Sequence, residues 1–554
     1  MNAPPQRNNY SNPSEERQPK NELDGESQAL QKPSEDLPRD LAQVNEKWLM
    51  KELRWLGNDP VQIAEYVKKT LDEGRDLTAL AAVRILSKHA ACTVAWNYIL
   101  KDRFAKRKVQ EAMKLYNEMK KRAQFPDSYT YAIMLTGLAD VRAADNMDRI
   151  VTIYNSMFAP NSRVEPSVIH LNAALRGHSR HGQMDAMWAL FARAPERGRG
   201  APDTTTYTTL LSALRFDILG DSEGLHNMRN QEAILSGHKI WERIMDQWRK
   251  GTIAVDEDLV CAMGRLMLLS KRPRDWDDIL SLVEQTMNIP RQIPSYRTEE
   301  REKSGLSPPS AKLRLPGTPV EWKEEDVKVR SGEEGLDALD DPFSSSPRQV
   351  EMERRKSASY VTPGPNTLSL VLEACLKMVA PKAARKYWDT FTTSTDGRAP
   401  LITPDEENMS MLLRNLRQSR ASAVALDILK SWYEDKSRVP HHKNFRIAMS
   451  TCVRDKKNPN SLDHASAILD LMANTGIAGE PRTLMMYCEL ISSVDPDKTN
   501  SAILRLEPMV VELKSRLSYS VSGERTSEMQ TSPEFKEDIV AFMRRMIALY
   551  DKAI

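Results

Sequence analysis

The sequence has few glycines and few cysteines. It contains 22 glycines among 554 residues, below the ~7% usual in globular proteins, which disfavours Gly-rich β architectures and Gly-rich nucleotide loops. Its five cysteines are at least 36 residues apart. Because no CxxC occurs, neither a disulfide framework nor a compact Cys-based zinc site is expected. A reducing compartment suits this composition best.

Net charge of one sign and long apolar runs are also lacking. The 79 basic and 77 acidic side chains leave a net charge of +2, which excludes a histone-like polycation but not a local basic surface. No run approaches the ~18 apolar residues of a transmembrane helix. The first 40 residues hold five basic and eight acidic side chains. They do not resemble a mitochondrial transit peptide, which is Arg-rich and poor in acidic residues.

Motifs for catalysis or metal binding are poor. Glycines at the spacing of a phosphate-binding loop occur at 177–182, but Gln183 and Met184 follow where Lys and Ser/Thr are required. G-x-S-x-G and H-E-x-x-H do not occur. Three nearby histidines have no paired cysteine: His170, His178 and His181. We therefore expect no enzymatic activity, metal, cofactor or small-molecule substrate.

What the sequence does contain is a repeated amphipathic helix. The apolar spacing i, i+3, i+4, i+7 lines one face of a helix. Its copies begin at residues 112, 150, 187, 237, 384, 425 and 465, with a weaker copy at 279. The first three start 38 and 37 residues apart, and the last three 41 and 40 apart. Stacked helical hairpins of this length bury a continuous core, which predicts an all-α fold and an α-solenoid. The alternative is a set of unrelated helices in ordinary bundles.

The connections between the copies also recur. Proline or an apolar residue is followed by a polar one, and then by a new helix. Examples are Pro126-Asp127, Pro166-Ser167, Pro202-Asp203, Val255-Asp256 and Pro404-Asp405. Proline stops the preceding helix, and Asp or Ser caps the next one.

These features resemble the pentatricopeptide repeat (PPR) family. The 35-residue stretch 93–127 matches the family pattern in Trp96-Asn97, Glu111-Ala112, Leu115 to Lys120 and Pro126-Asp127. Residues 128–138 and 204–214 repeat its opening. The resemblance covers roughly 93–290 and 365–490, and it weakens beyond Asp256. Tetratricopeptide repeats, which usually bind peptides, are the related alternative.

Composition and repeats together predict the domain organisation. The expected segments are a disordered N-terminus (1–40), a helical cap (41–92), a PPR array (93–290), a disordered insertion (291–360), degenerate repeats (361–490) and a C-terminal helical cap (491–554). The repeats of the array are expected at 93–127, 128–167, 168–203, 204–256 and 257–290. The two disordered segments are predicted from polar composition without apolar periodicity.

The resemblance implies binding of single-stranded RNA at about one base per repeat. In the family, the fifth and last residues of a repeat face the base edge. The pairs Asn97/Asp127 and Asn172/Asp203 then imply uracil, and Thr208/Asp256 implies guanine. Ala132/Ser167 implies no base, and Ser369/Asp405 is guanine-like in a repeat of 41 residues. An array parallel to the RNA would read U-n-U-G from 5′ to 3′.

Two further groups of residues belong to the expected RNA interface. Second residues would wedge the bases: Val94, Tyr129, Ile169 and Thr205. Cations of the first repeat would bind phosphates: Lys101, Arg103, Lys106, Arg107, Lys108, Lys120, Lys121 and Arg122. Arg193, Arg197 and Arg199 form a smaller set. Residues 93–127 hold nine basic and four acidic side chains, a local excess that suits a phosphate backbone. The alternatives are helix caps for the Asn and Asp residues, and solvated helix ends for the cations.

By resemblance to fungal-type members of the family, the expected role is in the mitochondrial matrix. The protein would bind precursor rRNA or mRNA and so act in end processing, splicing, stability or translation. One alternative is a structural or assembly component of the mitochondrial ribosome's small subunit. Another is a protein-binding scaffold without RNA.

Overall fold

The fold is helical throughout the described part of the chain. The computed structural model describes residues 46–160, 162–220, 226–295, 360–393, 402–477, 480–493, 496–521 and 533–553, and contains no strand among them. The predicted disordered segment 1–40 and nearly all of the predicted insertion 291–360 lie outside the described residues. The chain forms two compact units, Met1–Ile99 and Leu100–Ile554.

The first unit contains short helices that cover a small core. They are α1 (Glu46–Leu53), a 3-10 turn (Arg54–Leu56), α2 (Pro60–Asp72), α3 (Asp76–Leu86) and the start of α4 (Thr93–Ala105). Helix α2 begins at Pro60 because Oδ1 of Asp59 accepts the N–H of Val61 at 2.9 Å. The buried indole of Trp96 donates to Oγ of Ser87 at 2.9 Å. A polar group of this buried ring is thereby satisfied.

The second unit is a series of helical hairpins. After the end of α4 and α5 (Val109–Lys121), the first helices of the hairpins are α6 (Ser128–Asp140), α8 (Val168–Arg180), α10 (Thr204–Gly220), α12 (Glu257–Met267), α14 (Pro365–Lys377), α16 (Glu406–Ser419), α18 (His442–Arg454) and α20 (Pro481–Ile491). The second helices are α7 (Ala144–Ser156), α9 (Met184–Ala192), α11 (His226–Arg249), α13 (Pro273–Met287), α15 (Pro381–Thr392), α17 (Ser422–Glu434), α19 (Ser461–Asn474) and α21 (Pro496–Val521). The last helix is α22 (Pro533–Ala553).

Each first helix packs on the next first helix, and this row continues from α6 to α22. The second helices fill the grooves beside it; α13, for example, packs on both α12 and α14. The amphipathic spacing explains the stacking, because its apolar positions are buried: Ala112, Leu115, Tyr116 and Met119, and later Ala465, Ile468, Leu469 and Met472. Each Leu, Ile or Met side chain among them contributes about 1.5–3 kcal/mol when fully buried. The predicted all-α solenoid is confirmed.

Two of the scarce glycines lie where helices approach closely. A Cβ on Gly137 of α6 would lie 2.3 Å from Cγ of Phe104, and a Cβ on Gly264 of α12 would lie 2.4 Å from a methyl carbon of Leu370. Real Cβ atoms do not tolerate such distances without a shift of the neighbour. Glycine is therefore retained where first helices are pressed against large side chains.

The hairpins before and after residues 296–359 stack on each other in the same way as the other hairpins do. Helix α14 packs directly on α12 and α13, and the N–H of Val361 donates to the carbonyl of Thr286 at 2.9 Å. Glu257, the first residue of α12, caps α14 from outside: its Oε1 accepts the N–H groups of Gly364 at 3.0 Å and Thr367 at 2.8 Å. The stacking of hairpins thus continues from α12 to α14.

Before this interval, Arg291 anchors the chain to α13. Its Nη2 lies 2.6 Å from Oδ1 of Asp277, and its Nη1 donates to Oγ of Ser281 at 2.6 Å. The side chains of Arg291 and Asp277 are only 10% and 2% exposed. Burial of two charges costs desolvation free energy, and a buried pair offsets this cost only when both groups are paired and hydrogen-bonded.

Candidate nucleic-acid interface

The junction between hairpins is a capping box. Oδ1 of Asp127 accepts the N–H of Thr130 at 2.7 Å, and Oγ1 of Thr130 accepts the N–H of Asp127 at 3.1 Å. The same reciprocal arrangement starts three other first helices: Ser167 with His170, Asp203 with Thr206, and Asp405 with Asn408. Since it satisfies two backbone donors, it defines where each first helix begins.

We number positions from the first residue of each first helix, and the residue just before it is the last residue of the preceding repeat. The third positions are polar and buried in seven hairpins of the described chain: Thr130, His170, Thr206, Thr367, Asn408, Asn444 and Thr483. Sequence reasoning did not assign these residues a role. The recurring D-x-x-T and D-x-x-N spacing was the signal that could have found them.

The fifth and last residues meet at the junction between α8 and α10. Nδ2 of Asn172 donates to Oδ1 of Asp203 at 3.0 Å. The hydroxyl of Thr206 lies 2.6 Å from Oδ1 of Asn172 and 2.9 Å from Oδ1 of Asp203, and donates its single hydrogen to one of them. A polar cluster is thus built from residues 31 positions apart. Its geometry is held by the capping box rather than by the loop.

Related contacts recur in the C-terminal hairpins. Nδ2 of Asn408, partner of Asp405 in its capping box, donates to Oγ of Ser369 at 2.7 Å. Oγ of Ser410 donates to Oδ1 of Asn444 at 2.7 Å. Fifth-position side chains therefore face the next junction in several hairpins. Sequence spacing alone could not show this, because it depends on how the hairpins stack.

One fifth position forms an ion pair instead. Nη1 of Arg446 lies 2.7 Å from Oε1 of Glu480, the last residue before α20. This ion pair between α18 and α20 is at the position equivalent to the Asn172–Asp203 contact between α8 and α10.

The other predicted base-reading residues lie at different depths. Asn97 in α4 is buried, and Asp127 is half-buried at the start of α6. The hydroxyl of Thr208 donates to the carbonyl of Thr204 at 2.9 Å. Asp256 is exposed and caps α12 through the N–H of Leu259 at 2.9 Å.

The predicted wedge residues share an exposed position. Val94, Tyr129 and Ile169 are 48%, 55% and 60% exposed, and Thr205 is exposed as well. From α12 onwards the second positions are polar or charged: Asp258, Asn366, Glu407, Lys443 and Arg482. Several of these are joined across hairpins, as in Lys443 with Glu407 and Arg482 with Asp538, both at 2.6 Å. Among the described second positions, apolar side chains are therefore confined to the N-terminal hairpins.

The predicted phosphate-binding cations divide into two groups. Four lie within 4 Å of a carboxylate: Arg103 and Lys106 near Asp102, Lys108 and again Arg103 near Glu111, and Arg122 near Glu118. Lys120 lies over the ring of Tyr116 at 4.2 Å. Arg103 is buried. Lys101, Arg107 and Lys121 are exposed and have no ion pair among the described residues.

A further cation was not selected from the sequence. Arg176 follows Ile169 by seven residues on α8, so that both lie on one line of the helix. It is half-buried and makes no ion pair with the described residues. The signal was the i, i+7 spacing from the wedge position. Arg193, Arg197 and Arg199 are exposed in the last turn of the hairpin and the connection to α10.

Two buried histidines make the array sensitive to pH. Nε2 of His170 lies 2.8 Å from the carbonyl of Ser128, and its Nδ1 accepts the N–H of Ser167 at 3.0 Å. Both nitrogens of the neutral ring are thereby used. Burial lowers the pKa of His170, and also that of His178.

The unfolded chain therefore takes up protons near the ordinary histidine pKa of ~6.5, while the folded chain does so only at lower pH. We expect the free energy of unfolding to fall as pH drops below about 6.5. In His170→Asn the fall between pH 7.5 and 5.5 should be smaller than in the wild type. Asn155→Thr, which changes an exposed side chain that does not titrate, should keep the wild-type slope. Urea unfolding at several pH values measures this, and an unchanged slope in His170→Asn would contradict it.

Three further observations concern metal ligands, membrane-spanning helices and cysteines in the described part of the chain. No group of three or more His, Cys, Asp or Glu side chains there is arranged to hold a metal ion. No helix described is long and apolar enough to cross a membrane. All five cysteines are buried as free thiols, and burial raises the pKa of Cys261 and Cys452 to about 12.

The stacked hairpins and their capping boxes define a helical-repeat protein. In a comparison with known protein families, residues 91–140 match the PPR repeat family. The resemblance to the pentatricopeptide repeat family that the sequence indicated is confirmed.

A curated relative is the pentatricopeptide repeat-containing protein 2, mitochondrial, of Schizosaccharomyces pombe (strain 972), 25% identical over 240 residues. The match covers 43% of this chain and 54% of that protein, so the chain spans about half the length of this relative. Solved structures with similarity include the PPR protein PPR10 bound to an 18-nucleotide psaJ RNA element, at 14% identity and a TM-score of 0.26, covering 91% of this chain and 75% of that one. PPR10 from maize has 16% identity and a TM-score of 0.24, with 91% and 72% covered.

Proposed function

We propose that the protein binds single-stranded RNA along its first helices and reads individual bases at the hairpin junctions. The observation that carries this proposal is the Asn172–Asp203 hydrogen bond. The bonded residues lie on α8 and at the start of α10, and these two helices carry the exposed second-position residues Ile169 and Thr205. A base wedged between those two side chains would present its edge to the paired amide and carboxylate.

The chemistry of the pair favours uracil. Nδ2 of Asn172 uses one of its two hydrogens on Asp203, and the other remains a donor. Oδ1 of Asp203 accepts the contacts of the capping box, while its Oδ2 accepts no hydrogen bond from the described residues. The pair thus offers one donor and one acceptor. Uracil presents a carbonyl and an N–H beside it, whereas cytosine would place its N3 lone pair against the carboxylate.

For Asn97 and Asp127, which have the same residue types, uracil stays a prediction from the sequence. The reasoning from contacts extends to the junction before α12. The hydroxyl of Thr208 donates within its own helix, so only its lone pairs remain for a base. With the carboxylate of Asp256 it would present acceptors to the N1–H and N2–H groups of guanine. Ala132 carries no polar group, and the proposed footprint is U-n-U-G.

Stacking and phosphate contacts would supply most of the affinity. Tyr129, Ile169 and Val94 expose apolar surface at the wedge positions, and base stacking on aromatic side chains contributes about 1–3 kcal/mol per base. The exposed Lys101, Arg107 and Lys121 are suited to phosphate binding, as is Arg176 on the line of Ile169. Arg103 is buried beside carboxylates, so we leave it out of this set.

The cellular role is proposed from the mitochondrial relative. A non-enzymatic protein of this kind would keep a precursor rRNA or mRNA segment unfolded or shield it from nucleases, and so act in processing, splicing, stability or translation in the matrix. A full-length fluorescent fusion that stays outside mitochondria would refute the location. Sedimentation of the native protein with the small ribosomal subunit, and not with free transcripts, would favour a ribosomal role instead.

Binding to short RNAs tests the central proposal. The wild type should bind U-n-U-G more tightly than U-n-C-G. Asp203→Asn should remove most of that preference, because the amide nitrogen places a donor against the uracil N–H. The loss should be about 1–3 kcal/mol, or roughly 5- to 150-fold in affinity. Fluorescence anisotropy at fixed salt measures it.

Asparagine caps helices as well as aspartate does, so the variant should keep its fold. Asp59→Asn is the matched control, since Asp59 caps α2 in the first unit. It should bind like the wild type. No RNA binding by the wild type at low salt would refute the proposed function, and an unaltered base preference in Asp203→Asn would refute base reading alone.

A further inference from the structure

Three arginines in the C-terminal hairpins come together without a counter-charge. Arg414 and Arg417 lie one turn apart on α16, and Arg454 lies in the last turn of α18, the helix packed beside it. None of the three lies within 4 Å of a carboxylate among the described residues. Nε of Arg417 is buried and has no hydrogen-bond partner there.

The proximity of the three charges is visible in their electrostatics. Burial lowers the pKa of Arg417, and the positive charges of Arg454 and Arg414 lower it further. The carboxylate next in sequence, Asp455, is occupied elsewhere: its Oδ2 accepts hydrogen bonds from Ser422 at 2.6 Å and Asn458 at 3.0 Å. Folding therefore holds like charges together and leaves a guanidinium N–H unsatisfied, both of which are unfavourable without an anion.

Four other cations of the C-terminal hairpins have carboxylate partners. Lys443, Arg446, Arg482 and Arg505 each lie within 2.6–2.7 Å of a carboxylate oxygen. Arg417 differs from these four cations, because its Nε is buried without a hydrogen-bond partner among the described residues and two like charges lie nearby. Guanidinium groups match phosphate oxygens in a bidentate way, and are the side chains of choice for phosphate recognition.

Two of the three arginines lie on the line of the first helices that the wedge residues occupy. Arg414 follows the second-position Glu407 by seven residues, as Arg176 follows Ile169. Arg454 follows the second-position Lys443 by eleven, which is about three turns of helix. Unlike Ile169, however, Glu407 and Lys443 are joined to each other at 2.6 Å and offer no apolar surface to a base.

We propose that Arg414, Arg417 and Arg454 bind phosphate groups of the RNA, so that the C-terminal hairpins hold the backbone without reading bases. This inference rests on the proposed RNA binding. The N-terminal hairpins would then set the sequence preference, and the C-terminal cluster would add affinity that is independent of sequence. Because the array is proposed to run parallel to the RNA, the cluster would contact nucleotides on the 3′ side of U-n-U-G.

The test compares two RNAs on the full-length protein. One is U-n-U-G alone, and the other carries a 3′ extension of roughly eight nucleotides, about one per repeat. Replacing all three arginines with Gln should weaken binding of the extended RNA several-fold and leave the short RNA and the uracil preference unchanged. The log–log slope of affinity against salt for the extended RNA should become shallower by about 2, at ~0.7 per lost phosphate contact.

Two control variants accompany it. Lys250, Arg385 and Arg505, all replaced with Gln, change the net charge equally, but each is already beside a carboxylate: Asp246, Asp389 and Asp470. This variant should bind like the wild type. Replacing the three cluster arginines with Lys keeps the charge, and should retain most of the salt slope even if the Gln variant is destabilised.

Two outcomes would overturn the inference while leaving the proposed function intact. The first is an unchanged affinity and salt slope of the Gln variant for the extended RNA. The second is binding of poly-glutamate at the cluster, lost in the Gln variant, with RNA binding unaffected, which would indicate an acidic protein as the ligand. Failure of the wild type to bind either RNA would overturn the proposed function and this inference together.

Discussion

Replacing Asn172 with Thr is expected to change the preferred base at the third place of the footprint from uracil to guanine. A threonine hydroxyl at the fifth position can donate to the carbonyl four residues earlier, as that of Thr208 does at 2.9 Å. The amide donor that faces a uracil carbonyl is then lost. The remaining lone pairs, together with the carboxylate of Asp203, present acceptors that suit the N1–H and N2–H groups of guanine.

The change should be visible as a reversal of preference between U-n-U-G and U-n-G-G. A well-placed pair of contacts contributes about 1–3 kcal/mol of discrimination, so each direction of the switch should amount to roughly 5- to 150-fold. Asn155→Thr is the matched control, because Asn155 is exposed on the second helix α7. A variant Asn172→Thr that still prefers uracil would show that the fifth position does not read the base.

The largest effect on stability is expected for Arg291→Leu. This change leaves the carboxylate of Asp277, which is 2% exposed, without its partner at 2.6 Å. It also removes the donors to the Asp277 carbonyl at 3.0 Å and to Ser281 at 2.6 Å. Breaking a buried pair by removing one partner costs about 3–5 kcal/mol, and urea unfolding should show a loss of this size.

The comparison is with Arg505→Leu, which breaks an exposed pair of the same length. Nη1 of Arg505 also lies 2.6 Å from a carboxylate oxygen, that of Asp470, but both side chains are about half exposed. Exposed pairs contribute about 0–1 kcal/mol, so this variant should unfold almost as the wild type does. Equal losses in the two variants would mean that burial does not determine the contribution of Arg291.

Much of the candidate interface could be predicted because it depends on local signals. Asp127, Asp203 and Asp405 precede helices and cap them, which proline and the D-x-x-T or D-x-x-N spacing already indicate. The exposure of the second positions could also be predicted from a local signal. The helical period places the second residue of a first helix outside the face that is buried. Helical period and capping both act over a few residues.

Contacts between distant residues could not be predicted in this way. The sequence does not show that Arg103 is buried beside two carboxylates, that Glu257 caps a helix more than 100 residues away, or that three arginines of α16 and α18 share a surface. Each of these depends on which side chains of neighbouring helices meet. The same holds for the burial of the predicted phosphate-binding cations, because it depends on which helices pack against them.

The sequence by itself determined that this chain is a solenoid of helical hairpins with capped junctions, because the 3.6-residue period and the caps are written within each repeat. Only the tertiary structure decided what each junction can bind. Asn172 and Asp203 are separated by 31 residues and become a donor–acceptor pair when two first helices stack. At the equivalent place before α20, the same stacking brings Arg446 to Glu480 and closes the site with an ion pair.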